Sequence, residues 1–153
     1  MSRLDHGLYA ITPDWDDTGH LLEVTEALLR GGVRRLQYRH KTASPKLRRE
    51  QALGLRELCL RFDVPLLIND EIALAQELGV SAHLGREDGD LAAARAALGP
   101  KALLGASCYG EIELAIAAVA AGADHVAFGA MYPSPTKPLA PTAPHSLLRQ
   151  ARQ

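Results

Sequence analysis

Few of the 153 residues are aromatic: one Trp, two Phe and four Tyr make up 5% of the chain. Large aromatic platforms for stacking bases are therefore not the basis of what it does. Net charge is −1, so no broad field gathers nucleic acid or an anionic membrane, and recognition of anions has to be local. The two cysteines, Cys59 and Cys108, are too far apart in sequence to form a metal-type pair, and they suggest free thiols in a reduced, cytoplasmic setting. No apolar run approaches the roughly 20 residues of a membrane span. The opening from Met1 to His6 lacks the apolar core of a secretory signal. Neither nucleic acid nor membrane is expected as a partner.

What is present is small aliphatic bulk. Hydrophobic residues make up 47% and charged residues 23%, enough for one domain with a sizeable core. One rhythm repeats: a short apolar run, a polar loop, an Ala/Leu-rich amphipathic run, then Gly. Strands are predicted at Leu8–Thr12, Val33–Arg39, Pro65–Asn69, Ala82–Leu84, Ala102–Ala106 and His125–Gly129. Helical periods run through Leu21, Leu22, Thr25, Leu28 and Leu29, and more loosely through Leu47, Leu53, Leu55, Leu58 and Phe62. Another runs through Leu114, Ile116, Ala117 and Val119, and Asp90 is placed to cap a helix over Leu91–Leu98. Gly31-Gly32, Gly79, Gly99 and Gly122 sit where helices should stop. Five prolines between Tyr132 and Pro144 mark an extended loop.

Alternating β and α without a Gly-x-Gly-x-x-Gly turn after the first strand leaves a (β/α)₈ barrel or an open doubly wound sheet. Both place ligands at the C-terminal ends of the strands. There, Gln37, Arg39 and Lys41 share one strand face, opposite Leu36 and Tyr38. An Arg fork with a Lys point charge suits a diphosphate, although a solvated charged strand end reads the same way. The run Leu66–Ile68 ends in Asn69 and Asp70; Asp70 is a catalytic-type strand-end acid or the cap of the next helix. Asp88 is a possible second oxygen ligand for Mg²⁺, which commonly takes one or two carboxylates. His83 reads as a hydrogen-bonded core histidine, Ser107 as a substrate contact or a cap, and Cys108 as inert. Ser134, Thr136 and Lys137 form a phosphate grip or a polar surface turn. No nucleophile triad is visible.

Gln37-x-Arg39-x-Lys41, Ile68-Asn69-Asp70, His83-Leu84-Gly85-x-Glu87-Asp88, Gly105-x-Ser107 and Ala121-Gly122-Ala123-Asp124, then Pro133-x-Pro135-Thr136-Lys137-Pro138, occur in one order. Together with the opening Gly7–Thr12, this series resembles thiamine-phosphate synthase over about residues 7–140. The resemblance implies a TIM-type (β/α) barrel and a Mg²⁺-dependent transferase. That enzyme would join a hydroxymethylpyrimidine diphosphate to a thiazole phosphate, giving thiamine phosphate and diphosphate. It implies that Gln37, Arg39, Lys41 and Asn69 hold the pyrimidine diphosphate, and that Asp70 and Asp88 bind Mg²⁺. Ser107 would contact the pyrimidine, Ser134 and Thr136 the thiazole phosphate, and Lys137 the diphosphate; Arg39, Ser107 and Lys137 would act on the reaction itself.

The chain departs from the family pattern at Tyr38, His40 and Arg86, where Leu, Glu and Gln are usual, and at Ser134, where Thr is common. Tyr109 stands where a His is frequent, which argues against the related thiazole tautomerase activity. Six of the eight βα units are counted, so the chain is expected to be C-terminally incomplete. A non-catalytic phosphate-ligand binder or regulatory homologue is the alternative, and a homo-oligomer that shares strands is a further one. Turnover of both substrates separates enzyme from binder, and light scattering tests the oligomer.

Overall fold

A computed structural model of the chain describes residues 6–133 and 142–152. Its elements alternate without exception: β1 (Tyr9–Ile11), α1 (Thr18–Arg30), β2 (Arg35–Tyr38), α2 (Pro45–Phe62), β3 (Leu66–Asn69), α3 (Ile72–Leu78), β4 (Ser81–Leu84), α4 (Leu91–Leu98), β5 (Leu104–Tyr109), α5 (Ile112–Ala120), β6 (His125–Phe128) and α6 (Ser146–Gln150). This is the order of a TIM-type (β/α) barrel, with six of its eight units. The chain divides into two compact units, Met1–Ala82 and His83–Gln153.

In the first unit β1 pairs in parallel with β2, and β2 with β3, with Leu36 opposite Leu66 and Tyr38 opposite Ile68. Leu36, Leu67 and Ile68 are buried, as are Leu21 and Leu29 of α1 and Leu55, Leu58 and Cys59 of α2. Three helices start as their sequences dictate. Asp17 accepts from the His20 amide, Ser44 from Leu47 and Asp90 from Ala93, each filling an otherwise open N-terminal donor. The helix stop after Phe62 is not a glycine: Asp63 itself takes the left-handed conformation there, at φ 53°.

Alternation along β2 holds. Tyr38 turns toward the helices and donates to Gln51 Oε1 of α2 at 2.8 Å, while Gln51 Nε2 donates to the Trp15 carbonyl at 2.8 Å. Gln51 is fully buried, so Tyr38→Phe strands its acceptor oxygen. We expect a loss of about 1–3 kcal/mol, read from the midpoint of urea unfolding, with the denaturant slope unchanged.

In the second unit β5 and β6 are parallel, with Gly105 opposite His125 and Ser107 opposite Ala127. A bulge between Ser107 and Tyr109 shifts the register, and Tyr109 has φ 53°. Ala106, Cys108, Ala115, Ala118 and Ala123 form its core cluster, with Leu114 and Val126 packed against them. Here the sequence expectation needs correction. The helix is where its period predicted, but Ile116 and Val119 are 66% and 59% exposed. The buried stripe is Ala115 and Ala118, small residues that let the helix lie close to its strands. Strand bounds also shift: β4 begins one residue early at Ser81, and β5 covers Leu104–Tyr109 rather than 102–106.

Candidate active site

The first unit brings Lys41, Asn69 and Asp70 together. Asp70 Oδ2 accepts from Lys41 Nζ and, at 2.7 Å, from Asn69 Nδ2. The three line one cavity at the ends of β2 and β3, backed by His40, Arg48 and Glu71. Asp70 holds φ 66°, a left-handed conformation that Asp and Asn tolerate better than other non-glycine residues. The capping alternative fails: Glu71, not Asp70, is the N-cap of α3, and it makes no side-chain cap bond. Arg48 closes the back of the cavity, donating to Glu71 and, at 2.8 Å, to the Ala43 carbonyl.

Gln37 and Arg39 do not line this cavity, whereas Tyr38 does, so the expected grouping of Gln37, Arg39 and Lys41 on one face is not kept beyond the end of β2 at Tyr38. Gln37 is buried, and its amide nitrogen donates to the Tyr9 hydroxyl at 2.8 Å. Burial raises the Tyr9 phenol to about 12, so it stays a neutral hydroxyl at any ordinary pH. Arg39 Nη1 lies 3.5 Å from Asp14 Oδ1, and the Lys41 amide donates to the same oxygen at 3.3 Å. Asp14 thus sits beside the Arg39 guanidinium and takes the backbone amide of Lys41, whose ammonium turns to Asp70. Thr12 ties this strand end together, its hydroxyl accepting from the Arg39 amide at 2.9 Å and donating to the Arg39 carbonyl at 3.2 Å. Neither Asp14 nor Tyr9 was singled out from sequence. Asp14 had a signal, a strand-end acid after Thr12-Pro13; Tyr9 had none, because its role depends on pairing with a strand 28 residues away. His40, where Glu is usual in the resembled family, accepts the Ala43 amide at Nδ1 (3.2 Å). Its proton therefore sits on Nε2, 3.0 Å from Asp16 Oδ1.

In the second unit Asp88 folds back over its loop, and its Oδ2 accepts the Gly85 amide at 3.0 Å. A Cβ at Gly85 would stand 2.3 Å from that oxygen. Glycine at 85 is what lets the carboxylate lie there. Arg86 pairs with Glu111 and covers the Tyr109 ring at 5.2 Å. Ser107 Oγ is 2.9 Å from Nε2 of the buried His83, in keeping with a hydrogen-bonded core histidine and not with Ser107 as a cap of α5. Burial raises both thiols, Cys59 to about 12, so neither is a nucleophile. Ser134, Thr136 and Lys137 lie outside the described residues.

The donor set suits a hard cation at Asp70. It offers the Asp70 carboxylate beside the Asn69 amide, the hard oxygen donors that Mg²⁺ takes, in a cavity that the His40 imidazole also lines. Among the described residues no group of three or more His, Cys, Asp and Glu is placed to hold a metal ion. No helix among them is long and apolar enough to cross a membrane.

The family model described as thiamine monophosphate synthase matches residues 8–153. A thiamine-phosphate synthase of Janthinobacterium sp. (strain Marseille) is 56% identical over 135 residues, covering 86% of this chain and 64% of the relative. One from Methylobacillus flagellatus is 53% identical over 148 residues, covering 96% and 71%. One from Nitrosospira multiformis is 55% identical over 145 residues, covering 94% and 62%. The chain thus spans about two thirds of the length of these relatives. Among solved structures, a thiamine phosphate pyrophosphorylase from Pyrococcus furiosus superposes with a TM-score of 0.80 at 27% identity, over 94% of this chain and 67% of that one.

Proposed function

Because the chain belongs to the thiamine monophosphate synthase family, we propose that it carries the diphosphate-handling part of a thiamine-phosphate synthase. In this reading a hydroxymethylpyrimidine diphosphate and a thiazole phosphate give thiamine phosphate and diphosphate. The observation that carries it is the convergence of Lys41, Asn69 and Asp70 at adjacent strand ends, in a cavity of one unit.

The residues divide the work by charge. Lys41 and Arg39 hold the diphosphate oxygens, and Asn69 and Gln37 orient it through neutral donors. Lys41 exchanges its Asp70 partner for a phosphate oxygen, which frees Asp70 for a cation. Asp70 and Asp88 are the proposed oxygen ligands of Mg²⁺, which when bound neutralises charge on the departing diphosphate. Ser107 contacts the pyrimidine. Ser134 and Thr136 are assigned to the thiazole phosphate, and Lys137 to the diphosphate. No protein nucleophile is needed, because the thiazole nitrogen captures the pyrimidine methylene carbon as its bond to diphosphate breaks. The two free thiols, Cys59 and Cys108, suit a reduced cytoplasmic setting.

The test is to incubate the chain with both substrates and Mg²⁺ and to look for thiamine phosphate. Its formation, and its loss on chelation, are expected. Binding of both substrates without any product would reduce the chain to a ligand binder.

A further inference from the structure

Each cation at the end of β2 comes with a carboxylate of its own. Lys41 Nζ donates to Asp70 Oδ2. Arg39 Nη1 lies 3.5 Å from Asp14 Oδ1, and the Lys41 backbone amide donates to that same oxygen at 3.3 Å. Behind them Arg48 pairs with Glu71. These three cations face three carboxylates, so their formal charges cancel. Asp70 is the proposed metal ligand, and Arg48 and Glu71 close the back of the cavity. Asp14 has no such use: it is a negative charge beside a residue assigned to hold an anion.

Its place is built into the fold. The Thr12 amide donates to the Gln37 carbonyl at 3.0 Å, and the Thr12 hydroxyl bonds both the amide and the carbonyl of Arg39. The pairing of β1 with β2 thus sets where the carboxylate two residues on will fall. Its link to Arg39 is long, and the two side chains are 29% and 35% exposed, so an incoming anion can replace Asp14 on the guanidinium and also feel its charge.

Bare diphosphate carries several negative charges. It meets a strand end with no net charge to attract it and a carboxylate that repels it. Mg²⁺ takes two of those charges off the ligand and turns Asp70 from a repelling neighbour into a metal ligand. Against the complex, the remaining charge of Asp14 matters far less. A site discriminates by what it repels as well as by what it attracts. We propose that Asp14 is a specificity-determining residue, a fixed negative charge that makes this strand end refuse bare diphosphate and accept the magnesium complex. The proposal rests on the diphosphate reading of Arg39 and Lys41.

The test is calorimetric titration of the full chain and of Asp14→Asn with inorganic diphosphate, once with Mg²⁺ and once with excess chelator. Asn keeps an oxygen that accepts the Lys41 amide, so the loop stays while the charge goes. Asp14→Asn is expected to bind bare diphosphate roughly tenfold more tightly than wild type does, and the magnesium complex within about threefold of wild type. The gain for the bare anion should narrow as ionic strength rises, because a charge effect is screened and a shape effect is not. Weaker binding of both forms would make Asp14 a support for Arg39 or a metal ligand. No change in either form would make it a bystander, and an equal gain in both would leave it without selectivity. Each of these results overturns the proposal. A wild-type chain that ignores diphosphate even with Mg²⁺ would sink the diphosphate reading itself; Asp14→Asn would still have to bind the bare anion, or the filter falls too.

Discussion

Asp70→Asn is expected to weaken Mg²⁺-dependent diphosphate binding by at least about 100-fold while leaving the fold intact. The substitution removes one negative charge and keeps the shape. Changes to groups that merely support a metal ligand typically cost 10–100-fold, so loss of the ligand's own charge should reach the upper end or pass it. The fold should survive because Asp70 sits at φ 66°, where Asn is among the few side chains that fit without added strain. Asp70→Ala makes the contrast. It loses the same charge but also imposes a left-handed cost of about 1–2 kcal/mol, visible as a lower unfolding midpoint. Calorimetric titration of diphosphate with and without Mg²⁺, beside urea unfolding of each variant, separates the two effects. If Asp70→Asn binds as wild type does, Asp70 is not a metal ligand.

Arg39→Ala is the second large effect. The guanidinium is only loosely held: its one described ion pair, to Asp14, spans 3.5 Å, and the side chain is 29% exposed. It can therefore turn to a phosphate without giving up a strong internal partner. A charge-assisted hydrogen bond to an anion contributes about 1.5–3 kcal/mol, so its loss should weaken diphosphate binding by roughly 10- to 150-fold. Thiazole phosphate binding should change less than about threefold, because that phosphate is assigned to Ser134 and Thr136. Arg39→Lys should fall between, since it keeps the charge but not the planar fork. Equal weakening of both ligands would mean that Arg39 acts on the fold and not on the diphosphate.

Much of this architecture was legible in the sequence, and the reasons are local. Leu66–Asn69 reads as a strand because a short apolar run between helical periods has little else to be, and Asp90 announces a helix start through its own side chain. Alternation along β2 correctly turned Tyr38 toward α2, where it meets Gln51, but it did not reach Lys41, which lies past the end of the strand and lines the same cavity as Tyr38. What failed depended on partners far along the chain. Val119 and Ile116 look like core residues on a helical wheel, yet the space against β5 admits only alanines there. Asp14 beside Arg39, Tyr9 on Gln37 and His125 over Gly105 all arise from strand register, which no single segment encodes.

The central claim is that the ends of β2 and β3 hold a magnesium diphosphate. Titrating the chain with inorganic diphosphate, with Mg²⁺ and then with excess chelator, tests it most directly. Saturable binding that needs the metal, and that disappears in both Asp70→Asn and Arg39→Ala, is the predicted result. Binding that is indifferent to Mg²⁺ and to both substitutions would contradict it.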